Sequence, residues 1–201
     1  MRKSKQEAAA TRRRIVKAAA EKFRLNGIGG TGLSDLMAAA GLTHGGFYRH
    51  FESKDQLVAE ACAAATESAM ATFFSNKSPK NGLKAQVAKY LSPAHRDDPS
   101  AGCPLAALGS EMARADERTR AAATQAFLKL VGVIASQFGK ARPDLARRRA
   151  LVAASTMIGA LTMSRIVTDS ELSAAILRET ERHLIRTAGG TDGLSKSVSE
   201  A

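Results

Sequence analysis

The chain reads as an all-α protein. Three observations lead there. Apolar residues recur three and four positions apart, as Leu33, Leu36, Met37 and Ala40 do, which places them on one side of a helix. No stretch alternates apolar with polar residues over a strand's length. The composition is rich in Ala, Arg and Leu, with only two Tyr and no Trp among 201 residues. That length suits one or two domains with a packed core, and no fixed-period repeat of the solenoid type runs through it.

The elements follow in order. A first helix is expected over residues 11–26, where Ile15, Ala18, Ala19 and Phe23 keep helical spacing and Arg12, Arg13, Arg14 and Lys17 crowd its start. The run Asn26-Gly27-Ile28-Gly29-Gly30 ends it. Thr31 or Gly32 opens a short second helix carrying the Leu33 to Ala40 stripe. Gly41 stops it, because glycine tolerates the left-handed conformation of a tight turn. Leu42 plugs the corner inward, and Thr43 suits the N-cap of a third helix. Phe47 and Phe51 lie four apart on one face of that helix, with His44, Tyr48, Arg49 and His50 on others. Two short helices joined through a glycine turn, with a polar face on the second, form a helix-turn-helix.

Ser53-Lys54-Asp55-Gln56 is a capping box. It launches a long helix over residues 54–74, with Leu57, Val58, Ala61, Ala65, Ala69 and Phe73 inward. Residues 75–82 form a polar link and 82–91 a short amphipathic helix. Residues 92–102, with Pro93, Pro99 and Gly102, read as loop. A helix from Pro104 to about 114 follows, then helices over 117–139, 143–167 and 170–187, the last capped by Asp169 or Ser170. This divides the chain into a three-helix head (1–53), a six-helix body (54–187) and a glycine- and serine-rich tail (188–201) expected to be disordered.

Charge follows the same division. The whole chain carries +11. Residues 1–54 hold eleven Lys and Arg against four Asp and Glu, a net of +7 in under a third of the length. Such a segment attracts a polyanion through counterion release. The basic N-terminus precedes no apolar h-region, and no window approaches the ~18 apolar residues of a membrane span. Two cysteines without paired spacing fit a reducing cytoplasm. The four His lack the spacing of a metal site. No nucleotide-binding glycine pattern, P-loop or Ser-His-Asp arrangement is present. No metal or cofactor is expected, and no cluster of titratable groups supports an enzyme with a helix-turn-helix appendage.

The run Ala40-Gly41-Leu42-Thr43-His44-Gly45-Gly46-Phe47-Tyr48-Arg49-His50-Phe51, followed by Ser53-Lys54 and Leu57, resembles the signature of the tetracycline-repressor (TetR) family of bacterial regulators. The resemblance covers roughly residues 11–60. Elsewhere it extends to length and helical character. It implies a double-stranded DNA ligand, a homodimer and a small-molecule effector. His44 and Arg49 are the candidates for base edges, with Arg49 either bidentate on a guanine or gripping phosphate. Gly45 and Gly46 let the backbone approach the groove, or merely tolerate a tight helix start. Tyr48, His50 and Lys54 match phosphate-contacting positions, and Lys54 also stands at a helix N-terminus. The family usually has a hydroxyl residue where Gly32 stands here, which leaves Thr31 as the candidate for that contact. Thr43 completes the DNA-facing set.

In the body, Tyr90, Cys103, Leu105, Leu108, Met112, Phe127, Val131 and Met157 are candidates for an apolar or aromatic effector's pocket, entered through the 92–102 loop. Leu151, Ala154, Ser155, Ile158, Gly159 and Thr162 surround too much of their helix for one core to cover, and are the candidate dimer surface. Cys103 just before Pro104 stands at a helix N-cap, where the dipole favours thiolate. Its Gly-Cys segment resembles one branch of TetR-like regulators that includes electrophile and oxidant sensors. The expected function is a repressor released from a palindromic operator by effector. The alternatives are a DNA-binding protein without an inducer and a thiol-based regulator acting through Cys103.

Overall fold

A computed structural model describes residues 5–74, 82–138 and 141–189. All regular structure in them is helical: α1 (Lys5–Asn26), α2 (Leu33–Ala39), a 3-10 helix (His44–Arg49), α3 (Lys54–Phe74), α4 (Gly82–Tyr90), α5 (Pro93–Asp97), α6 (Pro104–Met112), α7 (Glu117–Ser136), α8 (Pro143–Ile166) and α9 (Ser170–Gly189). The 75–81 link and residues 190–201 of the expected tail lie outside the described residues.

Most ends are set by the expected chemistry. The Ser53 hydroxyl accepts from the Gln56 N–H at 3.1 Å, and the Gln56 side chain reaches back to the Glu52 N–H at 2.7 Å, one residue beyond a standard capping box. Asp169 caps α9 by accepting from the Leu172 N–H at 2.8 Å. Pro104 and Pro143 open α6 and α8, where a missing N–H costs nothing.

Three elements differ from expectation. The helix starting at Lys5 is longer than the 11–26 segment, because Lys5 to Ala10 contains no breaker. The expected loop over 92–102 contains α5. Ser92 accepts from the His95 N–H at 3.2 Å and Pro93 holds the first turn, so Ser-Pro acts as a helix start. The recognition segment is 3-10 rather than α. Gly45 and Gly46 each cost about 1 kcal/mol in an α-helix, six residues are short, and Thr43 lends no side-chain cap.

Two cores divide the molecule. One joins α3, α4, α7, α8, α9 and one side of α6 around Tyr90, Leu130, Ile134, Met157 and Leu161, all 0% exposed. The other gathers Ile15, Phe23, Leu36, Met37 and Phe47 from the head, and continues through Leu57, Ala61, Cys62 and Ala65 of α3 to Leu108 and Met112 of α6. The head therefore has no core of its own. Burying one of these large side chains contributes roughly 1.5–3 kcal/mol, so the α3 and α6 residues hold the head in place.

Candidate nucleic-acid interface

Gly41 has φ +70°, which a side chain would strain. It lets the Gly41 N–H reach the Ala38 carbonyl (2.9 Å) and the Leu42 N–H reach Met37 (2.8 Å), closing α2 and turning Leu42 onto the head core. Thr43 is extended and the 3-10 helix begins. Phe47 is fully buried and stacks on Phe51 with ring centroids 5.5 Å apart. Anchored so, the short helix turns its polar residues out. Tyr48 packs edge-on against Phe47 at 5.1 Å yet is 68% exposed. Thr43, His44, Gly45 and Arg49 are exposed, and Gly46 and His50 half-buried. The His44 ring lies 3.3 Å from the Ser34 hydroxyl, so the start of α2 orients it. Arg13, Arg14 and Lys17 of α1 add exposed positive charge.

Two candidates are committed elsewhere. Thr31 is 1% exposed and its hydroxyl donates to the Gly27 carbonyl at 2.6 Å. The tight turn after α1 draws it inward, away from any phosphate. The Lys54 ammonium donates to the Ile28 and Thr31 carbonyls at 2.7 and 2.8 Å. It ties α3 to the α1–α2 turn, and one N–H of three is left for another acceptor.

Glu111, at the end of α6, grips the same turn. Its carboxylate accepts from the Ile28 N–H at 2.5 Å and lies 3.4 Å from the Gly29 N. Arg24 of α1 donates through Nε (2.7 Å) and Nη2 to the Ser100 carbonyl. Burial holds the Arg24 guanidinium below its ordinary pKa. Helix periodicity marks neither residue, since both are polar groups serving backbone partners distant in sequence.

The candidate effector residues fall into the two cores. Tyr90, Cys103, Val131 and Met157 share the body core, with Phe127 against it. Leu108 and Met112 belong to the head-side core, where the Cys62 and Met112 sulfurs are 3.7 Å apart. The α6 helix presents different faces to the two cores, and Leu105 touches both. The 92–102 segment is also no open entrance. His95 is 4% exposed, and its Nδ1 lies 2.7 Å from the Tyr90 carbonyl while its Nε2 accepts from the Cys103 N–H at 3.0 Å. That pattern requires a neutral ring protonated at Nδ1. Burial lowers its pKa to about 4, against a smaller opposing effect of the Tyr90 hydrogen bond. Arg165 of α8 donates to the His95 and Arg96 carbonyls at 2.6 and 3.0 Å. The Cys103 thiol, 2% exposed, lies against the Tyr90 hydroxyl, without the open surroundings of a reactive cysteine. Burial first, and that thiol second, raise the Tyr90 pKa well above its ordinary value. The Gln86 amide one turn earlier and Arg165 Nη1 are buried without a hydrogen-bond partner, and the Tyr90 hydroxyl has only the weak one offered by the Cys103 thiol.

On α8, Ala154 is fully buried in its own chain's core, which it shares with Leu130 and Ile134 of α7 and Leu177 and Leu184 of α9. It is not available to a partner. The Thr162 hydroxyl donates to the Ala106 carbonyl at 3.0 Å. Leu151 and Ile158 pack partly against the body core. Ser155 and Gly159 are exposed, and they fall on one stripe with Val152 (64% exposed), Met163 (47%) and Ile166 (63%). Leu172 of α9 is also exposed, at 51%. No helix among the described residues is long and apolar enough to cross a membrane, and no three potential metal ligands converge.

Residues 15–61 match the bacterial regulatory proteins of the tetR family, and 79–179 match the LmrA/YxaF-like transcriptional regulator C-terminal domain. An uncharacterised HTH-type transcriptional regulator of Mycobacterium tuberculosis is 31% identical over 166 residues, covering 79% of this chain and 86% of the relative. The crystal structure of a TetR transcriptional regulator from Chloroflexus aurantiacus superposes with a TM-score of 0.72 at 30% identity, over 90% of this chain and 95% of that one. AibR, solved with isovaleryl coenzyme A and operator DNA, shares the fold with a TM-score of 0.58 at 18% identity, over 86% and 97% of the two chains. Helix-turn-helix head, helical body and both sequence matches agree: the chain is a transcriptional regulator of the TetR family.

Proposed function

We propose that the protein is a homodimeric repressor that reads a pseudo-palindromic operator and leaves it when a small molecule binds the body. The observation that carries this reading is the anchored recognition segment. Phe47 and Phe51 hold it from behind while His44, Tyr48 and Arg49 stand exposed on a segment, residues 1–54, of net charge +7. His44 and Arg49 reach base edges, Tyr48 and His50 grip phosphate, and the bare Gly45 permits close backbone approach. Thr31 and Lys54 act mainly by bracing the α1–α2 turn. The exposed Val152, Ser155, Gly159, Met163, Ile166 stripe is apolar enough to seek a partner, and a second copy sets two heads about 34–36 Å apart.

The effector site lies in the body around Tyr90, Cys103, Val131 and Met157. The unpartnered Gln86 amide, beside the weakly bonded Tyr90 hydroxyl, favours a molecule that is mainly apolar but carries hydrogen-bonding atoms. The structural relative AibR was solved with isovaleryl coenzyme A and operator DNA, and of that ligand only the acyl end has this apolar character. Signal leaves through α6, whose first turn meets His95 and whose last turn holds the α1–α2 turn through Glu111. A ligand preferring one setting of α6 thereby shifts operator affinity, and operator shifts effector affinity equally.

Genomic fragments selected on the purified protein, then footprinted at two salt concentrations, test the reading. A palindrome should be enriched, and its affinity should fall steeply with salt. Enrichment of no common sequence would overturn it.

A further inference from the structure

A groove runs along the seam between head and body, apart from the site around Tyr90 and sharing only Arg13 and Lys17 with the DNA-facing surface. It lies between α1 and α3 and encloses about 780 Å³, within the range of small-molecule sites. It follows one face of α1 from Arg12 to Arg24, about 18 Å at 1.5 Å per residue. Val16 and Ala20 of α1 and Ala64 and Ala65 of α3 make an apolar wall. The Arg12–Glu60 ion pair lines it at one end, and Arg24 with Ser100 at the other.

Charge in the groove is unevenly spent. Glu60 is paired with Arg12, and Glu67 lies 3.7 Å from Lys129. Glu21 acts on Arg24. Arg13 and Lys17 are exposed and make no ion pair among the described residues. Arg24 is nine-tenths buried, and its Nη1 has no acceptor although Nε and Nη2 are used. A buried guanidinium N–H left unpaired is costly, and a carboxylate is the acceptor its planar edge fits best. Glu21 and Glu67 on the rim disfavour a doubly charged group.

We propose that this groove binds a small amphiphilic carboxylate, its apolar chain lying on the Val16, Ala20, Ala64 and Ala65 wall and its carboxylate held by Arg24 in the positive field of Arg13 and Lys17. Such a ligand touches head and body at once, so it bears directly on the angle between them, independently of the site around Tyr90.

Calorimetric titration of the full-length protein with decanoate tests this, with decanol as the uncharged control. Decanoate should bind once per chain and at least tenfold more tightly than decanol. Ala64→Trp, which fills the groove, and the double change Arg13→Glu with Lys17→Glu should each weaken decanoate at least tenfold. Tyr90→Phe should leave its affinity unchanged. Circular dichroism melting checks that each variant folds, and Ser68→Trp on the exposed rim replaces Ala64→Trp if that variant does not. No binding by the wild type, equal affinity for decanol, or unaltered binding in the groove variants would overturn the proposal. So would loss of binding in Tyr90→Phe alone.

Discussion

Acid should weaken this protein through His95. The ring is buried, and its two nitrogens serve Tyr90 and Cys103 in a pattern only the neutral form satisfies. Burial moves its pKa from 6.5 to about 4. As pH falls, the unfolded chain takes the proton first. The stability that the neutral ring contributes is therefore complete above about 6.5 and is lost downward through about 4. The limit is about 3 kcal/mol, and the loss between pH 7 and pH 5 is about 2 kcal/mol. Arg165 on one side and Asp98 on the other act in opposite senses and change the figure little. Urea unfolding at fixed protein concentration, at pH 7 and pH 5, measures it for wild type and for His95→Gln. The variant keeps a donor and an acceptor but has nothing to titrate. It should be less stable at pH 7 and should lose about 2 kcal/mol less than wild type on acidification. Equal losses in the two proteins would refute the assignment of the neutral ring.

Four further outcomes follow from the geometry. A Cβ at Gly102 would stand 2.7 Å from His95 Nε2, so Gly102→Ala should cost roughly 1–3 kcal/mol in the same unfolding assay. Arg49→Ala or His44→Ala should change base preference by roughly 1–3 kcal/mol at one step, whereas Tyr48→Phe should weaken all sequences alike, as competition binding on operator variants will show. Val152→Glu together with Ile166→Glu should yield monomers in sedimentation while preserving the helical spectrum. Ala154→Arg should instead unfold the chain, because it buries a charge in the chain's own core.

The helical class, the helix-turn-helix and most boundaries were legible because local chemistry decides them. Gly41, the Ser53 box and the paired Phe47 and Phe51 act within a few residues of themselves. What periodicity could not supply was which side of a doubly apolar helix faces its own core. Ala154 and Ser155 are neighbours on α8, and only packing against α7 and α9 separates them. Leu108 and Met112 went to the head for the same reason, since α6 lies between two cores. The expected loop at 92–102 hid a legible Ser92-Pro93 helix start. Glu111, Arg24 and Arg165 bind carbonyls or amides far away in sequence, and no spacing rule points to them.

The shared inner core also bears on how such regulators can be recombined. A cut after residue 53 would strip Ile15, Phe23 and their neighbours of Leu57, Ala61, Cys62, Leu108 and Met112. The excised head would expose that face, and a foreign body would have to reproduce it. Exchange of operator specificity between proteins of this build therefore favours one small graft: the outward side chains of residues 43–50, replaced in place, and nothing behind them. The unit of transplantation is the surface of the reading segment, with the packing beneath it left to the host.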